Sequence, residues 1–179
     1  MAERTVEKVT IPAGITPAYE RGVLTLTKNG KNVSKKLVAP EVTLRSEGNT
    51  ITITPLNKRR FTIATMRSHA AHIRNLITGL EKGFKYKLAV VHSHFPMNIK
   101  VKEKHVEIAN YLGEKNPRLS LIIGETKVEV KGKEITVSGN NIEEVSQTAA
   151  NLEKATRDTK KDQRVFQDGI YITEKGETA

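Results

Sequence analysis

The chain has 179 residues, a formal net charge of +10 and no cysteine. That length suits one domain or two small ones, the missing cysteines exclude disulfides and thiolate metal sites, and no apolar run is long enough to cross a bilayer. A positive balance of this size points to a polyanion, nucleic acid first, against the plainer reading of solubilising charge.

Taken in order, Val6–Pro12 alternates apolar and polar residues like a strand and ends at Pro12-Ala13-Gly14. Val23–Lys28 is a second alternating strand, and Asn29-Gly30 marks a tight turn because both residues tolerate positive φ. Lys28, Lys31, Lys35 and Lys36 crowd this turn. They read equally as a charged edge that resists aggregation or as a phosphate-contacting tip. Val42–Leu44 and Thr50–Ile53 then flank Glu47-Gly48-Asn49 as a hairpin, and a helix follows from about Arg60 to Leu80. Met66, Ala70, Ile73, Ile77 and Leu80 recur at steps of four and three and so share one face. Lys58-Arg59-Arg60 stands at the helix start, where cations oppose the helix dipole and where an anion would be welcome. His69 and His72 are three apart on this helix, but no further ligand stands at a metal-binding spacing, so they read as ordinary helix residues. Tyr86–Val91 reads as the closing strand of this first block.

The same pattern then returns. Met97–Val101 and His105–Ala109 are strands, Asn110–Arg118 is a polar loop in the place of the Asn29-Gly30 turn, and Leu119–Ile123 leads on from it. Val128–Lys131 and Glu134–Val137 form a hairpin around Gly132-Lys133 and feed a helix from about Ile142. Asn141 and Glu144 have capping-box spacing, and Ile142, Val145, Ala149, Leu152 and Ala155 form its apolar stripe. The helix end is basic, with Lys154, Arg157, Lys160, Lys161 and Arg164, an arrangement that also suits the dipole alone. Asp168-Gly169 predicts a turn, Ile170–Ile172 a last short strand, and Glu174–Ala179 a frayed tail.

A hairpin feeding a helix, used twice, predicts an α+β fold built by tandem duplication of a small antiparallel sheet packed by one helix. The expected units are 1–91 and 92–179; on that division the first carries the whole excess of +10 and the second balances to zero. No nucleophile elbow, phosphate loop or dinucleotide fingerprint is present, which points away from an enzyme, a cofactor or a small-molecule substrate. The eight aromatics are scattered, unlike a sheet that stacks single-stranded bases, so contact with RNA is expected through phosphate and shape. The N-terminus lacks a hydrophobic signal core, which predicts a cytoplasmic protein.

Several runs are shared with a known family: Ser68–Asn75, Gly83–Lys87, His94–Asn98, Asn110–Lys115, Gly139–Glu143, Phe166–Tyr171 and Glu174-Lys175-Gly176. Spread over nearly the whole chain, they make it resemble the large-subunit ribosomal protein family numbered six in its archaeal and eukaryotic form (the eukaryotic member is numbered nine). The resemblance implies a tandem α+β duplication and a non-catalytic constituent of the large subunit. Such a constituent binds large-subunit ribosomal RNA near the stalk base and the region that translation factors contact, mainly through its C-terminal half, beside neighbouring ribosomal proteins. The expected RNA contacts are Lys58, Arg59 and Arg60 at the first helix start and Lys115 and Arg118 in the long loop. Arg157, Lys160, Lys161 and Arg164 after the second helix complete them. The competing reading is a free-standing protein-interaction module, which would co-purify with a soluble partner instead of with ribosomes.

Overall fold

The computed structural model describes residues 6–92, 95–158, 161–162 and 164–177. It divides into two units, Met1–Glu81 and Lys82–Ala179. In the first, β1 (Glu7–Thr10), β6 (Thr50–Pro55) and β5 (Val42–Glu47) form one three-stranded sheet in the order β1-β6-β5. β2 (Thr16–Glu20), β3 (Val23–Lys28) and β4 (Lys31–Lys36) form a second, meandering sheet, and α1 spans Arg60–Glu81. All pairs are antiparallel. The Asn29-Gly30 turn has positive φ at both residues, 50° and 78°, as its composition demands. Arg21-Gly22 makes the same kind of turn between β2 and β3, with φ of 48° and 82°. The expected stripe of α1 is buried throughout, joined by Thr62, His69 and Leu76, and packs with Ile11, Leu24, Leu26, Ile51 and Ile53.

In the second unit the sheets are β11-β12-β7-β13 and β10-β9-β8. Their strands are β7 (Phe84–Val91), β8 (Asn98–Val101), β9 (His105–Ala109), β10 (Arg118–Leu121), β11 (Lys127–Lys131), β12 (Glu134–Gly139) and β13 (Gly169–Glu177), with α2 at Ile142–Ala155. Adding six to each strand number of the first unit reproduces this pattern: β1-β6-β5 becomes β7-β12-β11, and β2-β3-β4 becomes β8-β9-β10. The duplication therefore holds at the level of strand pairing, and β13 is the one strand here without a counterpart among the described residues of the first unit.

Two sequence expectations change. Phe84–Val91 opens the second unit instead of closing the first, because Leu88 pairs with Ile135 on one side and with Ile172 on the other. With the division at Glu81, the first unit holds thirteen Lys and Arg against six Glu, a net of +7. The second holds seventeen against fourteen carboxylates, a net of +3, so the excess is shared and not confined to one half. The C-terminal tail is also ordered further than expected. β13 runs to Glu177 along β7, with register shifts after Ile172 and after Glu174. Those shifts break the period-two pattern from which a strand is recognised. Lys87 pairs with Glu174 at 2.5 Å, and Thr173 Oγ1 donates to Lys87 O at 3.0 Å.

The second core gathers Leu88, Val106, Ile108, Ile135, Val137, Val145, Ala149, Leu152 and Ile170 around Tyr111. Tyr111 sits in a 3-10 turn, Tyr111–Gly113, and is only 2% exposed. Its hydroxyl donates to Thr156 O at 2.6 Å and approaches Asp168 O at 3.3 Å. Thr156 Oγ1 in turn accepts from Ile170 N at 2.9 Å. One phenol thus ties the β9–β10 loop to the end of α2 and to the start of β13. Tyr111→Phe keeps the ring and removes the donor, leaving the Thr156 carbonyl short of a partner in a buried place. The expected loss is about 1–3 kcal/mol, read as a lower urea midpoint at unchanged slope; a wild-type midpoint would show that the hydroxyl holds nothing.

Candidate nucleic-acid interface

The second helix is placed by both its ends. At its start Asn141 Oδ1 accepts from Glu143 N at 3.1 Å, the N-cap that its composition predicts. Glu144 departs from the capping box. It accepts from the Asn141 side-chain amide at 3.0 Å and from Glu125 N at 3.3 Å, tying the approach to β11 onto the helix. Gly124 permits this: its φ is 62°, and a Cβ there would run into the Glu144 carboxylate.

At the other end Arg118 does the closing. Its Nη1 donates to Ala155 O at 3.0 Å, which caps the last turn. Its Nε and Nη2 grip Glu114 at 2.8 and 2.6 Å, and the guanidinium lies 4.2 Å from the Tyr111 ring centroid. The bonds from Arg118 hold the Glu114 carboxyl below the usual carboxylate range, and burial pushes the Tyr111 phenol up. Arg118 is thus committed to the fold, through a bidentate pair, a carbonyl and a ring face.

Beyond α2, Asp162 organises a turn. Its side chain accepts from Arg164 N at 2.9 Å and its carbonyl from Phe166 N at 2.9 Å. Phe166 is thereby turned back until Lys161 Nζ stands 5.0 Å from its ring centroid, a cation–π contact. Between this turn, the helix end and β13 lies a cavity of about 590 Å³ whose lining includes Tyr111, Lys154, Arg157, Lys161, Phe166 and Tyr171. Lys154, Arg157 and Lys161 are exposed, as are Phe166 and Tyr171. Three carboxylates also line it, and one of them, Glu153, accepts from Ile172 N at 3.4 Å to fasten β13. Exposed cations beside exposed ring faces in a concave surface can receive phosphate and a stacked base together.

The expected contact residues separate on this structure. Arg157 and Lys161 line the cavity. Arg164 is exposed on the Asp162 turn and does not line it, and Lys115 is exposed in the loop beside Glu114. Lys160 lies outside the described residues. Lys58, Arg59 and Arg60 are exposed in the first unit, at the start of α1. There a carboxylate is already in place: Thr62 Oγ1 donates to Glu41 and lies 2.6 Å from Asn57 Oδ1, and the Thr62 bond holds the Glu41 carboxyl low, with Asn57 and Arg59 adding to it. The unfavourable cations at the helix start thus have an internal anion nearby. Sequence reasoning missed Phe166 and Tyr171, because their nearness to the cations comes from the Asp162 turn and from β13 pairing. Neither has a period in the sequence.

Among the described residues no group of His, Asp and Glu is placed to hold a metal ion, and no helix is long and apolar enough to cross a membrane. Residues 95–169, within the second unit, match the family description "Ribosomal protein L6". The large ribosomal subunit protein uL6 of Methanocella arvoryzae is 39% identical over 98% of this chain and 99% of its own length. That of Desulfurococcus amylolyticus is 42% identical over 96% and 95%, and that of Haloarcula marismortui 40% over 92% and 93%. Likeness at this level along both units places the chain in a family, and that family is ribosomal protein L6.

Proposed function

We infer that the chain binds large-subunit ribosomal RNA through the concave surface at the end of α2. As a member of its family it is a structural constituent of the large ribosomal subunit and not an enzyme. What supports the RNA reading is one observation above the rest: Lys154, Arg157 and Lys161 stand exposed around a cavity that also presents Phe166 and Tyr171. Phosphate contact by the cations supplies affinity without sequence preference. A ring face supplies a place for one unstacked base.

The finer placement rests on the family resemblance: near the stalk base and the translation-factor region, in the cytoplasm, among neighbouring ribosomal proteins. A surface suited to such a neighbour is present on edge strand β10, where Leu119 and Leu121 are 60% and 66% exposed. An exposed apolar pair on an edge strand is a liability for a free protein and an asset in an assembly. The same pair suits the competing reading, a free-standing interaction module, but the cationic cavity has no part in that reading.

Affinity for a large-subunit RNA fragment, measured across a salt series, tests the proposal. Log affinity should fall steeply with log salt. Replacing Lys154, Arg157 and Lys161 together by alanine should make the slope shallower by roughly 0.7–0.9 for each phosphate that is no longer neutralised. A flat wild-type plot, or a triple variant with an unchanged slope, would count against this patch.

A further inference from the structure

The first unit carries a second basic hollow, unlike the α2 cavity in composition. It lies between β4 and α1, encloses about 350 Å³, and is lined by Lys35 and Lys36 from the strand and by Thr65, Ser68, His69 and His72 from the helix, among others. Among the described residues, no carboxylate lines it. Lys35 Nζ stands 3.2 Å from His72 Nδ1. A charged ammonium has only protons to offer, so His72 Nδ1 accepts and the ring proton sits on Nε2. Ser68 Oγ is 3.5 Å from that Nε2, at the outer limit of a bond. His69 is 8% exposed and its Nδ1 is buried without a hydrogen-bond partner. A buried polar atom left in that state is a cost that native structures rarely carry without a use.

Helix periodicity explains why these groups meet. His69 and His72 are three apart, and Ser68 and His72 four apart, so one face of α1 carries all three. Lys35 arrives from β4, whose register is fixed by the Asn29-Gly30 turn. The run of lysines around that turn thus delivers one of them to a pair of imidazoles that packing alone does not require.

We propose that this hollow binds a phosphate group. The donors it assembles are an ammonium, a hydroxyl and imidazole N–H groups, the set that suits a tetrahedral oxyanion. The charge state of the hollow agrees. Burial and, behind it, the charge of Lys35 hold both imidazoles below the usual histidine range, and burial also lowers Lys35. Basic groups that disfavour one another's charged forms gain when an anion enters between them. The site lies in the other unit from the α2 cavity and stands or falls independently of it. Its phosphate has two possible sources, an RNA backbone or a free phosphate ester, with the same chemistry.

The test uses the full chain and inorganic phosphate, with sodium chloride at matched ionic strength as the reference, following the ring resonances of His69 and His72 by NMR. Phosphate should move both rings along a saturating curve and raise the titration midpoint of His72. Lys35→Ala should weaken that binding at least tenfold, Lys35→Arg should retain most of it, and Lys161→Ala in the second unit should leave it unchanged. A single-stranded RNA oligonucleotide that displaces the phosphate identifies the backbone as the source; failure to displace assigns the site to free phosphate esters. Rings that respond to phosphate and chloride alike would overturn the proposal. So would an equal response in wild type, Lys35→Ala and Lys35→Arg.

Discussion

The second unit depends on one buried hydroxyl. Tyr111 donates to the carbonyl of Thr156, the residue that follows α2, and the hydroxyl of Thr156 receives the amide of Ile170 in β13. Arg118 lies on the Tyr111 ring and caps Ala155. Without this knot the helix end and the last strand would be held together only by the Glu153–Ile172 bond and by apolar packing, and the cations after α2 would be less firmly placed. With it, Lys154 and Arg157 take fixed places beside Phe166 and Tyr171. Rigid placement is what lets phosphate contacts position a protein on RNA instead of merely attracting it.

Duplication and divergence can be separated residue by residue. Strand pairing is copied without exception, by a shift of six. The copies differ at the connections. Where the first unit turns from β3 to β4 through Asn29-Gly30, the second runs from β9 to β10 through the loop that holds Tyr111, Glu114 and Lys115. Where the first unit opens on β1 at a sheet edge, the second opens on β7, which carries β13 on its far side. The α2 cavity joins residues of the copied helix, Glu153 and Lys154, to residues of these added pieces, Tyr111 and Tyr171 among them, so the copied core supplies a scaffold and the divergent connections complete the surface.

How much of this was legible in the sequence follows from what is local. The Asn29-Gly30 turn, both helix stripes and the Asn141 cap were readable because each is decided within a few residues. The partners of Phe84–Val91 were not: an alternating strand says nothing about which sheet it joins, and its pairs with β12 lie some fifty residues away. β2 was missed because Thr16-Pro17-Ala18-Tyr19-Glu20 has weak strand character and is held by its pairing with β3 across the Arg21-Gly22 turn. Among the expected contacts, Arg118 looks like any other loop cation until its bonds to Glu114 and Ala155 are seen. The family resemblance reached the function that physics had only narrowed, from a basic, non-catalytic, duplicated chain to a ribosomal constituent.

The central claim is that the anchored end of α2, with Lys154, Arg157, Lys161, Phe166 and Tyr171, is where RNA is held. The direct measurement is an NMR titration of the isotope-labelled chain with a large-subunit ribosomal RNA fragment. The account predicts that the largest perturbations fall on residues 154–158 and 166–171, with the Phe166 ring resonances displaced as a base takes the place of Lys161. Perturbations confined to other surfaces, with these residues unmoved at saturation, would contradict it.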